Sequence, residues 1–222
     1  MGDFIPMYGQ GEHKPKLIGI VGDRGDGKTL LLTALLREDY DNGLNIFSNY
    51  SLFFPKPRFK GQLPPQKRTF KDIVTMPEEL RNASVGLDEL HIGADSRQSM
   101  NKSNLILSKL ITQMRKRNLD VYYTTQRLNS IDKRLRQQTD FFIMVERVYC
   151  SHDKFDEQGV PQELWFKYQI IDAYYYDTMN TKGDKEGFIY YGATKDLFEL
   201  YDTDEIIDYD DEEAIGNVAN AD

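Results

Sequence analysis

Gly22-Asp23-Arg24-Gly25-Asp26-Gly27-Lys28-Thr29 follows the apolar run Leu17-Ile18-Gly19-Ile20-Val21 and precedes the helix-like stretch Leu30–Leu36. This is G-x-x-x-x-G-K-T in the strand, loop, helix context that a phosphate-binding loop requires. Glycines let backbone N–H groups converge on phosphate oxygens, and a helix N-terminus adds partial positive charge. The loop residues Gly22, Asp23, Arg24, Gly25, Asp26, Gly27, Lys28, Thr29 and Leu30 therefore form the candidate nucleotide cradle. Lys28 neutralises the outer phosphates, and Thr29 is placed to ligate Mg²⁺. Asp23 and Asp26 put two carboxylates in a loop built for an anion, so their side chains are expected to point outward.

Downstream, Ala83-Ser84-Val85-Gly86-Leu87-Asp88-Glu89-Leu90 reads as a short buried strand ending in two acids. Asp88 is the expected carboxylate of the Mg²⁺ shell, and Glu89 the general base that polarises water. A third segment, Asp120-Val121-Tyr122-Tyr123-Thr124-Thr125-Gln126, is a β-branched and aromatic strand. Strand ends in parallel sheets face the ligand crevice, where Gln126 is suited to contact a γ-phosphate or orient water.

With these three stretches in hand, the chain resembles the FtsK–HerA group of P-loop motor ATPases, most closely the genome-packaging ATPases of membrane-containing viruses. The likeness rests on G-D-R-G-D-G-K-T at 22–29, L-D-E-L-H at 87–91 and R-K-R-N-L-D-V-Y-Y-T-T-Q-R at 115–127. It is similar also to the zonula occludens toxin-like assembly ATPases of filamentous phages, through Ser48-Asn49-Tyr50. The resemblance implies a RecA-like (ASCE) α/β fold with a mainly parallel sheet, the Gln126 strand lying between the phosphate-loop strand and the Asp88 strand. It implies ATP and Mg²⁺ as ligands, a homo-oligomeric ring (hexamer or pentamer), and an arginine, Arg115 or Arg117, acting on a neighbour's γ-phosphate. It also implies a motor that moves double-stranded DNA into a preformed capsid and docks on a capsid or portal-vertex protein. The competing reading is an assembly ATPase of the toxin-like kind, whose turnover ignores DNA. A nucleotide kinase would need an arginine-rich lid, a GTPase an Asn-Lys-x-Asp motif, and a virion protein that only binds ATP would show no hydrolysis.

Strands are predicted near 16–21, 44–48, 83–88, 120–125 and 140–147, and helices near 28–38, 98–116 and 131–138. Met100, Leu107, Leu110, Ile111 and Met114 share one face of the second helix and should pack on the sheet. Beyond the core, Leu164–Ile171 and Gly187–Tyr191 read as a β-hairpin or added edge, followed by a helix from Ala193 to Ile207 with Leu197, Leu200 and Tyr201 inward. The expected organisation is an N-terminal extension (1–15), an ATPase domain (16–207, core 16–147, extension 148–207) and an acidic, disordered tail (208–222).

The 222 residues carry a formal charge of −8, yet ten of the 36 acids lie in residues 199–222, which hold no Lys or Arg. The remainder, with all 28 basic residues, is therefore net +2. Lys56, Arg58, Lys60, Lys67 and Arg68, in and after a Pro-rich loop, are candidate DNA contacts, as are Lys133, Arg134 and Arg136 on a following helix. The single cysteine, Cys150, excludes an internal disulfide and fits a reducing cytosol; the resemblance implies that this is the host cytoplasm, with association with the virion. No run of about twenty apolar residues is present, so a membrane segment is not expected, which counts against the toxin-like reading because those proteins carry an anchor after the ATPase domain. The histidines at 13, 91 and 152 have no metal-ligand spacing; His91, next to the acidic pair, is the one placed to contact nucleotide.

Overall fold

Alternation of apolar strands with amphipathic helices builds a sheet covered on both faces. A computed structural model describes residues 14–75, 80–90, 111–131, 133–173, 189–203 and 205. The elements are β1 (Leu17–Val21), α1 (Lys28–Asp41), β2 (Asn45–Ser48), β3 (Gln66–Lys67), α2 (Phe70–Thr75), β4 (Ala83–Leu87), α3 (described over 111–117), β5 (Leu119–Thr125), α4 (Lys133–Gln138), β6 (Phe141–Val148), β7 (Lys154–Phe155), β8 (Pro161–Asp172), β9 (Ile189–Thr194) and α5 (Lys195–Phe198). The strand order is β3-β2-β4-β5-β1-β6-β8-β7, with β9 on β8. Strands β1 to β6 pair in parallel, and β8 turns back antiparallel on β6. The Gln126 strand thus lies between the phosphate-loop strand and the Asp88 strand, as the resemblance implies.

Parallel strands are buried on both sides and read as continuous apolar runs, which is why β1, β4 and β5 are buried at every position. One face holds Leu17, Val85, Val121 and Tyr123 against Ile111, Met114 and Leu135 of α3 and α4. The other holds Ile18, Ile20, Ile46 and Tyr122 against Leu31, Leu32, Leu35 and Leu36 of α1. Ile111 and Met114 face the sheet as predicted. Met100, Leu107 and Leu110 lie outside the described residues, as does His91.

The C-terminal extension differs from its prediction in one respect. Strand β9 continues to Thr194 because Leu164↔Ala193 and Glu163↔Thr194 extend its ladder with β8. The helix therefore spans only Lys195–Phe198, and Tyr201 forms an isolated bridge to Leu52. Ladder hydrogen bonds have overridden local helix propensity at Ala193.

The Pro-rich basic loop is tied down. Gln62 Nε2 donates to the carbonyls of Tyr40 (2.6 Å) and Leu44 (3.1 Å), and Tyr40 Oη donates to Pro55 O (3.0 Å). Since α1 runs antiparallel to β1, its C-terminal end lies at the opposite end of the sheet from the phosphate loop, and residues 58–62 lie there too. Lys67 and Arg68, at the end of β3, sit instead at the phosphate-loop end of the sheet edge, Lys67 paired with Ser48 in register and with Glu205 through its ammonium.

Candidate active site

Helix α1 starts at Lys28 with Gly27 as its N-cap, at φ 84° and ψ 22°, and no side chain caps its first-turn amides. Those N–H groups lack intrahelical acceptors and open onto the loop, adding to the positive end of the helix dipole. Glycine is required at 27 twice over: its φ is left-handed, and a Cβ would stand 2.5 Å from the Phe166 ring. Lys28 curls over the loop, its ammonium donating to Asp23 O at 2.8 Å. Burial pulls the Lys28 ammonium below its ordinary value, opposed by the carboxylates of Asp88, Asp26, Glu89 and Asp23. A phosphate arriving at this site would reinforce the charged form.

The two loop aspartates part ways. Asp23 is exposed, as expected of a carboxylate beside an anion site. Asp26 instead accepts the Asp23 N–H (2.8 Å) and the Arg147 N–H (3.4 Å), so its charge is spent on holding the loop and joining it to β6.

Asp88 is buried at the end of β4, where two hydroxyls hold it. Thr29 Oγ1 donates to one carboxylate oxygen (2.9 Å) and Thr124 Oγ1 to the other (2.6 Å). Its backbone is clamped as well: Asn49 Nδ2 donates to Asp88 O (2.9 Å), and the Asp88 N–H donates to Asn49 Oδ1 (2.8 Å). Glu89 follows in the left-handed region, φ 51°, with its N–H donating to Thr124 Oγ1 at 2.8 Å. A non-glycine residue held there costs about 1–3 kcal/mol and persists only where its surroundings impose it. Thr124 is the residue that imposes it, bonding both acids of the pair. Its hydroxyl-bearing position was legible as strand, but not as the junction of the site, because only the adjacency of β4 and β5 brings it to Asp88.

A hydroxyl, a carboxylate and an uncapped helix N-terminus facing a common point suit a polyphosphate with Mg²⁺. That ion keeps several waters and takes one or two protein oxygens plus substrate phosphates, and Thr29 and Asp88 would supply the protein oxygens. Among the described residues no cluster of three or more His, Cys, Asp or Glu could hold a metal by itself. When bound, Mg²⁺ would neutralise phosphate charge.

Burial raises the Asp88 carboxyl above the ordinary aspartate range; the Thr124 and Thr29 hydrogen bonds and Lys28 pull it down, and Glu89 pushes it up. With no cation bound, the folded protein then keeps a proton that the unfolded chain has lost, so stability from this group falls as pH rises above about 3.8. Asp88→Asn, which retains a polar side chain there, is expected to raise the nucleotide-free Tm at neutral pH and remove that decline, as read by Tm scans from about pH 4 to about pH 7. The same substitution should lower Mg²⁺-dependent hydrolysis about 10²-fold or more.

Gln126 follows directly on β5, half-buried at the phosphate-loop end of the sheet. Arg115 and Arg117 are not brought to this site. They end α3, at the start of β5, where Arg117 O accepts the Asn82 N–H (3.0 Å) beside the start of β4. That is the far end of the sheet from the chain's own phosphate loop. Arg115 is exposed there, whereas Arg117 is half-buried with Nη1 enclosed and unpartnered. Lys133 and Arg134 are exposed on α4, and Arg136 Nη1 donates to Asn129 Oδ1 (3.2 Å).

The chain matches no protein-family model and no curated protein. Its fold is similar to that of the N-terminal domain of zonular occludens toxin from Neisseria meningitidis, with a TM-score of 0.51 at 18% identity, over 85% of this chain and 100% of that one. A looser likeness is to the genome packaging NTPase B204 of Sulfolobus turreted icosahedral virus 2, solved with ATP-gammaS: TM-score 0.42 at 12% identity, over 65% of this chain and 78% of that one. By fold, then, this is an α/β domain with a mainly parallel sheet, extended on one side by the antiparallel strands β8, β7 and β9, and its fold as a whole is similar to that of the toxin domain.

Proposed function

We propose that the protein is an ATP-hydrolysing ring motor that translocates double-stranded DNA, packaging a viral genome into a preformed capsid. The observation that carries the hydrolytic part is the Thr29–Asp88–Thr124–Glu89 hydrogen-bonded chain across β4 and β5, facing an uncapped helix N-terminus. Lys28 and the loop amides hold the phosphates, and Asp88 and Thr29 orient the cation-binding oxygens. Glu89 takes the proton from the attacking water. Gln126, at the end of the intervening strand, senses or positions the γ-phosphate. The chain's own Arg115 stands at the far end of the sheet, so the arginine that meets the transferred charge comes from a neighbouring copy. ATP and Mg²⁺ are the ligands, and a homo-oligomer of ring form is the active species.

The DNA part of the proposal rests on charge distribution. Exposed Lys133 and Arg134 and the edge residue Lys67, with Arg68 beside it, are spread along the phosphate-loop side of the molecule, a pattern suited to phosphate tracking. The loop carrying Lys56, Arg58 and Lys60 lies toward the other end, so contact by both groups would require DNA to span both ends of the sheet. A second reading, an ATPase for phage or virion assembly whose turnover ignores DNA, is favoured by the fold likeness to the toxin domain. Among the described residues no helix is long and apolar enough to cross a membrane.

The two readings part on one experiment. Phosphate release measured at low salt with and without double-stranded DNA should rise several-fold with DNA, and the rise should fade as salt screens the phosphate contacts. Hydrolysis that is robust and indifferent to DNA would move the assignment to the assembly ATPase.

A further inference from the structure

Asp88, Glu89 and Gln126 all lie on the β4–β5 side of β1, so a nucleotide whose γ-phosphate faces them carries its ribose and base toward the opposite side, over β6. Strand β6 outruns β1 there. Val21, the last residue of β1, pairs with Met144, and β6 continues to Val148. Arg147 meets the phosphate loop directly, its N–H donating to Asp26, and Tyr149 follows two residues on, about 7 Å farther along the strand direction.

The side chains form a stack leading outward from the loop. Phe166 of β8 lies directly beneath Gly27. The Arg147 guanidinium sits 5.2 Å from the Phe166 ring centroid and 5.0 Å from that of Tyr149. The guanidinium is fixed in place by Asp153 (Nη2 to Oδ2, 2.9 Å) and by Trp165 O (3.1 Å), with only 7% of its side chain exposed. Tyr149 itself is 85% exposed. Isolated exposed aromatics are ordinary. This one is held on one face by a buried arginine whose backbone is bonded to the phosphate loop, and its remaining surface faces solvent.

Resting on the nucleotide reading above, we propose that Tyr149, backed by Arg147, is the platform on which the base of the bound nucleotide stacks. A flat aromatic surface at that distance from the phosphate cradle suits a nucleobase, and stacking is tolerant of which base is present because every base offers a π-face.

The test uses the full-length chain in a Glu89→Gln background, so that ligand is not consumed. Calorimetric titration with Mg²⁺ and ATP is compared with titration by inorganic tripolyphosphate, which has the phosphates and no base. Tyr149→Ala is expected to raise the Kd for ATP roughly tenfold and to leave that for tripolyphosphate within about twofold, whereas Tyr149→Phe keeps ATP affinity. Unchanged ATP affinity in the alanine variant overturns the platform, as does equal weakening of both ligands. So does an alanine variant that binds ATP normally and fails to oligomerise, which would make Tyr149 a subunit contact. If the parent protein binds neither ligand, the nucleotide reading itself fails, a result distinct from failure of the platform alone.

Discussion

Glu89→Gln should leave ATP affinity within about twofold of wild type while lowering turnover by about 10²–10⁴-fold, the usual contribution of a positioned general base. The reasoning is geometric. Glu89 sits at φ 51°, and its N–H is held by the same Thr124 hydroxyl that bonds Asp88. Glutamine preserves the size, the backbone bond and the turn, and removes the ability to accept a proton together with the negative charge felt by Lys28 and Asp88. A structural role for Glu89 would therefore survive the change, and a chemical role would not. Equilibrium binding and single-turnover phosphate release on the same preparation separate the two. Near-normal release in the variant would remove Glu89 from the base role and leave the left-handed turn as a purely structural feature.

The second large effect is expected at Arg115. Arg115→Ala should lower hydrolysis by about 10³-fold, the scale of arginine fingers, with little change in Tm because the side chain is exposed. Because α3 ends at the opposite end of the sheet from its own phosphate loop, the loss must act on a neighbour. Mixing tests that directly. Arg115→Ala subunits keep Glu89 and Glu89→Gln subunits keep Arg115, so mixed oligomers should recover a measurable fraction of activity that neither variant has alone. Recovery absent over a full range of mixing ratios, or a monomeric protein hydrolysing at full rate, would exclude a finger in trans at this position. Arg117 serves as the contrast: it is half-buried with Nη1 enclosed and unpartnered, so Arg117→Ala removes packing and an unsatisfied donor together, and its effect should be read in Tm and not in recovery on mixing.

Much of the candidate site was legible because its parts are local. A phosphate loop needs glycine conformations, a lysine and a hydroxyl within eight consecutive residues, and β1 and α1 follow from apolar periodicity on either side. The acidic pair at the end of an apolar strand is equally local. What was not legible depended on neighbours far away in sequence. Asn49 and Asp88 are 39 residues apart, and Thr124 lies 36 beyond Asp88; neither Asn49, noted only as part of Ser48-Asn49-Tyr50, nor Thr124 reads as a partner of Asp88 until β2, β4 and β5 are side by side. Asp26 was expected to turn outward on grounds of charge alone. The backbone amides of Asp23 and Arg147 gave it a better alternative, and the second of these is 121 residues away.

The extension shows the same division. Aromatic and β-branched runs at 164–171 and 187–191 announced strands, and β8 and β9 are there, with residues 187 and 188 outside the described residues. The predicted helix from Ala193 was displaced because pairing with β8 satisfies the backbone through Thr194. The basic loop read from composition as one surface; Gln62 and Tyr40 bind it to the base of α1 and separate Arg58 and Lys60 from Lys67 and Arg68.

The sequence by itself determined the α/β class, the glycine-rich loop between β1 and α1 and the acidic pair at the end of β4, since spacing along a single strand, loop or helix is enough to define them. Tertiary structure alone decided that Thr124 and Asn49 hold Asp88, that Arg115 faces away from its own loop, and that Arg147 carries an exposed tyrosine beside it. Those outcomes depend on which strands become neighbours, and that order is set by burying both faces of one sheet, a property of the whole chain that no local pattern contains.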